Sequence, residues 1–314
     1  MADKIATREA YGAALAEFGA KYENLVVLDA DLAGATKTGV FAKAFPERFF
    51  DCGIAEGDMV TVAAGLSTTG LIPFASSFAM FLAGRAFEQI RNSVGYPHLN
   101  VKLGATHGGI TVGEDGATHQ CLEDFALMRT IPGMTVICPC DAVETRAAVE
   151  AAILHDGPVY LRFGRAATPV LFNKENYEFK LGKGIEIADG DDAAIIACGV
   201  MVDVALSARE LLKSEGINAR VIDMHTIKPI DEELVLKCAK ETGAIVTAEE
   251  HNVIGGLGEA VCGVLSEKLP TPVLRVGTED TFGRSGKVAP LMEMYGLTPQ
   301  NIAEKVKAAI ALKK

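Results

Sequence analysis

Short runs of Val, Ile and Leu alternate with longer amphipathic segments along almost all of this 314-residue chain, and that alternation leaves few folds open. The runs fall near residues 25–29 (LVVLD), 71–75, 100–104, 134–138 and 158–163, with helical patterns near 7–20, 56–69, 78–94, 121–129 and 141–154. A strand covered on both faces reads as a continuous apolar run, so the pattern predicts a parallel sheet with helices on both sides. A second series follows, with strands near 193–198, 218–223, 244–249 and 272–277 and helices near 201–214, 231–241, 256–267 and 298–312. The chain exceeds what one hydrophobic core usually supports. The expected fold class is therefore α/β in two domains, each a mostly parallel sheet flanked by helices. The first spans 1–167, a polar, Lys-containing linker covers 168–186, and the second runs over 187–314. Asp141, with Glu144 three residues on, has the spacing of a helix-opening capping box.

Composition narrows the function. The apolar fraction of 49% and charged fraction of 23% are those of a globular protein. No apolar stretch reaches the roughly eighteen residues of a membrane span, and the charged opening MADKIATREAYG is not a secretory signal. A cytoplasmic protein is expected. The seven cysteines lack metal-ligand spacing, which fits free thiols in a reducing compartment. The net charge of −11 and the absence of a basic stripe argue against nucleic acid. A small anionic substrate stays open, because one or two arginines suffice for a single phosphate.

Three segments stand out. Residues 104–120, GATHGGITVGEDGATHQ, hold five glycines, two histidines and an adjacent Glu–Asp pair directly after an expected strand. Open α/β folds place ligands on such loops, although a glycine-rich turn with solvated histidines would read similarly. CGIAEGDM at 52–59 sets Glu56 at the start of a helical pattern, where a carboxylate also complements the helix dipole. SFAMFLAGRAFEQIR at 77–91 spaces Phe78, Phe81 and Phe87 as the apolar stripe of a helix could be spaced.

Together these segments resemble the transketolase family, specifically its pyrimidine-binding and C-terminal domains. The resemblance begins at IATR (5–8) and continues through DADL (29–32), IAEGDM (54–59) and the Phe-x-x-Phe segment. It then takes in THGGITVGEDGATHQ, the IPGM and CPCDAVE runs within 131–144, and LRFGRA (161–166). It covers essentially the whole chain; the family usually has Pro where Ala117 stands.

The resemblance implies a thiamine-diphosphate enzyme that transfers a two-carbon ketol unit from a ketose phosphate to an aldose phosphate. By it, Glu56 bonds the aminopyrimidine of thiamine diphosphate, with burial beside an aromatic ring raising its pKa. Phe78 and Phe81 pack around that ring, and Asp31 stands beside the cofactor. His107 and His119 serve the reacting carbons as proton-transfer and oxyanion groups. Asp115 reads the hydroxyl next to the ketose carbonyl. Arg165 and Arg8 hold the sugar phosphate. The family's third aromatic falls on Gly84, where Phe87 could compensate, and its phosphate-contacting serine falls on Ala35, where Thr36 could substitute. GGLGEA at 255–260 looks like a phosphate loop but is assigned to turn and packing geometry.

The family's metal and diphosphate motif, Gly-Asp-Gly followed downstream by Asn, has no counterpart here. The resemblance therefore implies a separate diphosphate-binding subunit that holds Mg2+ (or Ca2+ or Mn2+). It also implies a dimer of this chain within a heterotetramer. A 2-oxoacid dehydrogenase β subunit shares the fold and the split but lacks the GEDGATHQ arrangement. A deoxyxylulose-phosphate synthase is usually one continuous chain. A non-catalytic scaffold is the alternative of a different class.

Overall fold

The computed structural model describes residues 3–313. Its strands are β1 (Lys4–Ala6), β2 (Leu25–Asp29), β3 (Phe49–Asp51), β4 (Ile72–Phe78), β5 (Lys102–Thr106), β6 (Thr135–Ile137), β7 (Val159–Arg162) and β8 (Ala167–Pro169). They continue with β9 (Ile185–Ala188), β10 (Ala193–Ala197), β11 (Ala219–Asp223), β12 (Thr226–Lys228), β13 (Ile245–Asn252) and β14 (Val273–Thr278).

The LVVLD run forms β2, buried along its whole length, and its side chains alternate between two cores. Leu25 and Val27 pack with Tyr11, Leu15, Phe18, Val149 and Ile153 from the Thr7–Lys21 and Ala142–Leu154 helices. Val26 and Leu28 pack on the opposite face with Met59, Val60, Leu82 and Ile90. Each such aliphatic side chain contributes roughly 1.5–3 kcal/mol by leaving water, which is why an unbroken apolar run is stable only inside a covered sheet.

The first sheet has seven strands in the order β12-β6-β7-β5-β4-β2-β3, parallel except for β12, which runs antiparallel to β6. The second has five, β14-β13-β10-β11-β9, parallel except for β9. β1 and β8 form a separate antiparallel pair. Strand β12 follows closely on β11 yet joins the first sheet, so the two halves share hydrogen-bonded structure. Lys228 anchors the crossover by donating to the carbonyls of Arg129 and Ile131 at 2.8 and 2.6 Å.

One expectation needs correction. The segment 78–94 is not one α-helix. β4 runs through Phe78, because β5 pairs as far as Phe78 with Thr106, and wider π-helical turns follow at Met80–Arg85 and Ile90–Gly95. Helices that take an extra residue per turn recur at functional sites. Within the stretch expected to link the domains, Leu171 and Phe172 donate their amides to Asp141 at 2.7 and 2.9 Å, and β9 begins at its end. Asp141 caps its helix by accepting from the Glu144 amide at 2.8 Å, whereas Glu144 accepts from the Cys140 amide instead of completing a capping box. Among the described residues no helix is long and apolar enough to cross a membrane.

Candidate active site

Because the strands are parallel, the loops leaving β2, β3, β4, β5 and β7 emerge at one edge of the first sheet, the place where open α/β sheets bind ligands. They carry Asp31, Glu56, Phe81, the 107–119 loop and Arg165. Arg8, in the first turn of the Thr7–Lys21 helix, is tied to the same edge by its amide, 3.4 Å from the Gly164 carbonyl.

Glu56 is the first residue of the Glu56–Ser67 helix, and its side chain is only 1% exposed. Both carboxylate oxygens accept from Nη1 of Arg85, at 2.9 and 2.8 Å, while the Arg85 side chain is 51% exposed. The resemblance implied a carboxyl in an apolar aromatic setting. The structure adds a guanidinium to which no sequence motif pointed. Arg85 also lies 4.7 Å above the Phe81 ring, a cation–π distance.

Phe81 and Phe78 are near-parallel, with centroids 5.7 Å apart and 14° between planes. Phe78 in turn stacks on His107 at 3.8 Å, and the His119 ring meets Phe81 edge-on at 5.2 Å. Four of the expected residues thus form one aromatic cluster. Phe87 does not join this cluster: it packs against the core.

His107 is buried, with φ of +57°. Arg8 Nη1 lies 3.1 Å from its Nε2, and Thr106 Oγ1 lies 2.9 Å from its Nδ1. Arginine can only donate, so Nε2 carries the lone pair and Nδ1–H donates to Thr106. Burial, then Arg8 and Arg165, push the His107 pKa down to about 3. The ring is neutral, in one tautomer. Asp115 and Asp31 are exposed; the Asp31 amide donates to Asp51 at 3.1 Å, and its φ is +60°. Arg165 donates to the Val112 carbonyl at 2.6 Å and to Glu114 at 3.2 Å. Arg8 donates to the Ala35 carbonyl at 3.0 Å. Thr36 does not stand in for a serine at position 35, because its buried hydroxyl is committed to Asp29 at 2.7 Å.

The loop after β5 rests on buried charge from both domains. Arg162 lies 3.2 Å from Asp124 and donates to the carbonyls of Glu250 and Cys121 at 2.8 and 3.3 Å. Burial works against the Arg162 charge, but Asp124 and Glu250 more than offset it and its pKa is raised. Glu250 accepts from the Thr111 amide at 2.5 Å. A side chain at Gly109, where φ is +83°, would sit 2.3 Å from the Glu250 carboxyl, so only glycine passes there. The neighbouring Glu249 accepts from the amides of Leu257 and Gly258 at 2.7 and 2.8 Å. That carboxylate fills the helix N-terminus behind GGLGEA, which accounts for the motif as a packing device.

Sequence comparisons agree with this architecture. The family description "Transketolase, pyrimidine binding domain" matches residues 3–170, and "Transketolase, C-terminal domain" matches residues 182–302. The chain is 46% identical to the 6-deoxy-6-sulfo-D-fructose transketolase subunit SqwH of Clostridium sp. strain MSTE9, over 94% of this chain and 91% of that one. It is 41% identical to a subunit of the apulose-4-phosphate transketolase of Phocaeicola vulgatus, over 96% of each. A solved structure described as a split gene transketolase, inactive beta4 tetramer, superposes with a TM-score of 0.93 at 55% identity, covering 99% of this chain and 100% of that one.

Proposed function

The chain belongs to the transketolase family, and from that premise we propose that it is the pyrimidine-binding subunit of a two-chain, thiamine-diphosphate-dependent transketolase. In this reading it moves a two-carbon ketol unit from a ketose phosphate to an aldose phosphate, and it works beside a separate subunit that holds the diphosphate and its metal ion. The reading places the enzyme in the cytoplasm, with this chain paired with a second copy inside a heterotetramer.

The observation that carries the reading is the convergence at one sheet edge of buried Glu56, the Phe78–Phe81 pair, His107 and His119. The residues fit the cofactor's pyrimidine. A buried carboxylate, joined through Arg85 to the face of Phe81, shares the sheet edge with a pair of parallel aromatic rings, as an aminopyrimidine with one polar edge and two apolar faces requires. Glu56 would take the polar edge, Phe78 and Phe81 would hold the ring's plane, and Asp31 would flank it. Thiamine diphosphate supplies a carbon nucleophile that protein side chains lack.

The remaining roles belong to this chain's own residues. His107, neutral and with Nδ1–H fixed on Thr106, is suited to holding a substrate hydroxyl in place and is too weak a base to keep a proton near neutral pH. His119 meets the aromatic pair edge-on at the loop's exposed end and is the residue placed to move a proton. Asp115 accepts the hydroxyl that distinguishes a sugar from a simple 2-oxoacid. Arg8 and Arg165 hold the far end of the sugar. Two split-enzyme relatives named for sugars that end in an anionic group support that assignment.

The test is a donor comparison. Combined with its diphosphate-binding subunit, thiamine diphosphate and Mg2+, the chain is expected to turn over xylulose 5-phosphate with ribose 5-phosphate and to leave pyruvate unchanged. Turnover of pyruvate alone would favour a 2-oxoacid dehydrogenase subunit, and turnover of neither a scaffold.

A further inference from the structure

Asp115 and His119 lie on a loop with little rigidity of its own. Its backbone turns at Gly109, Gly113 and Gly116, with φ of +83°, +83° and +77°, conformations that glycine enters freely and other residues avoid. Bonds within its second half are few: the amides of Gly116, His119 and Gln120 donate to the carbonyls of Gly113, Gly116 and Gly116 at 3.2, 3.0 and 3.1 Å. The placement of the two side chains therefore depends on what grips the loop from outside.

The grip comes from the second domain. A strap of residues 280–286 follows β14, and the Tyr295 hydroxyl fixes it by donating to the Phe282 carbonyl at 2.9 Å. Ser285 Oγ donates to the carbonyl of Glu114, the residue before Asp115, at 2.6 Å. Gln120, buried and next to His119, directs its side-chain nitrogen at three carbonyls: Arg284 of the strap at 3.0 Å, Ile110 at 3.2 Å and Gly113 at 3.4 Å. One amide group thus ties the strap to the start of the loop and to its central kink.

The packing is a separate indication. A Cβ on Gly283 would lie 1.9 Å from Gln120 Oε1, one on Gly116 would lie 3.2 Å from the Ser285 amide nitrogen, and one on Gly113 would lie 3.4 Å from the Gly286 carbonyl oxygen. Strap and loop meet through glycines on both sides. Gln120 Oε1 is buried with no hydrogen-bond partner among the described residues, so the side chain is held by its donors alone. A buried acceptor left unpaired costs stability, and a side chain kept only to fill this space would be apolar.

We propose that Gln120 and Ser285 latch the sugar-reading loop to the second domain and act as positioning residues for Asp115 and His119. This rests on the ketol-transfer reading above. The second domain thereby tunes the donor selectivity of a site built on the first. A displacement of about 1 Å at a reacting group costs roughly 10²-fold in rate, so a loop with three glycine hinges needs such a support. Glu56, held by Arg85, stands outside the latch.

The test uses the assembled two-subunit enzyme with Gln120→Met or Ser285→Ala, which remove the donors, and Ser285→Thr, which keeps one. The readout is kcat/KM for xylulose 5-phosphate divided by that for ribulose 5-phosphate, its epimer at the carbon beside the carbonyl. That ratio should fall roughly 10-fold in Gln120→Met and Ser285→Ala, with thiamine diphosphate affinity within about twofold of the wild type. Ser285→Thr should restore it. Gly283→Ala, which reaches the loop through Gln120, should reproduce the loss and add nothing to it in the Gln120→Met background. Hydrogen exchange reads the latch in the full chain without turnover: amides 111–119 should exchange roughly 10-fold faster in Gln120→Met and Ser285→Ala, while those of β10 and β13 keep their rates. Faster loop exchange in an enzyme that transfers no ketol unit would keep the latch and sink the ketol-transfer reading. Unchanged loop exchange overturns the latch whatever the enzyme transfers. Exchange accelerated throughout both domains, or a faster loop with the donor ratio intact in an active enzyme, would reduce the contacts to domain packing and overturn the proposal as well.

Discussion

Arg85 places one guanidinium nitrogen against both carboxylate oxygens of Glu56, at 2.9 and 2.8 Å, and so closes a buried charge with a half-exposed one. Among the described residues no other cation pairs with Glu56, and the residue before its helix, Ala55, offers no side-chain cap. Phe81 lies beneath Arg85 and guides it across the carboxylate. Any ligand that bonds Glu56 competes with Arg85 for the same oxygens.

Replacing Arg85 should therefore have opposite effects on fold and ligand. Arg85→Ala strands a buried carboxylate, costing about 1–2 kcal/mol once solvent screening of a half-exposed guanidinium is allowed for. In the assembled enzyme the same change should tighten thiamine diphosphate binding several-fold. Titration calorimetry decides this; weaker binding would mean that Arg85 stays on Glu56 in the loaded site.

Glu56→Gln keeps the shape of the side chain and removes its charge. Turnover should fall by roughly 10²-fold or more, in the range that loss of a proton-handling group produces, while the circular dichroism spectrum is retained. Near-normal kcat would remove Glu56 from the mechanism.

How much of this could be read from the chain alone depended on whether the signal was local. β2, β10 and β11 are buried on both faces and appear as unbroken apolar runs. β1, β3, β8 and β12 are three residues each and exist because a distant partner pairs with them, so no periodicity announces them. Phe78, Phe81 and Phe87 are spaced as a helical stripe would be, yet Phe78 ends a strand and Phe87 packs against the core. Glu56, His107 and His119 were legible through motif resemblance. Arg85 was not, since an arginine among phenylalanines reads as the solvated face of a helix.

His107 provides a test by pH. Its folded pKa of about 3 lies below the ordinary 6.5, so the stability it contributes is fully present above about 6.5 and is lost as pH falls toward 3. Nitrogen-15 NMR should find a neutral Nδ1–H ring at pH values down to about 5. An imidazolium signature near pH 6 would contradict the contacts with Arg8 and Thr106.

At the seam between the domains the sign reverses. Burial first, and Glu144 next, raise the pKa of Asp223 well above its ordinary 3.8, and its Oδ1 has no partner among the described residues. An acid with a raised folded pKa favours the fold fully below about 3.8, and that contribution drains as pH rises through the folded value. Asp223→Asn has no such proton to lose. Its urea midpoint should gain steadily on the wild type as pH rises above about 3.8. Parallel profiles would show that Asp223 does not titrate in the way its burial implies.

The central claim is that this chain supplies the pyrimidine and sugar-reading side of an active site completed by another subunit. The most direct measurement is ketol transfer from xylulose 5-phosphate to ribose 5-phosphate by this chain alone, by its diphosphate-binding partner alone, and by the two mixed, each with thiamine diphosphate and Mg2+. Activity is expected only in the mixture, and only with Glu56 intact. Transfer by this chain alone, or none by the mixture, would contradict the account.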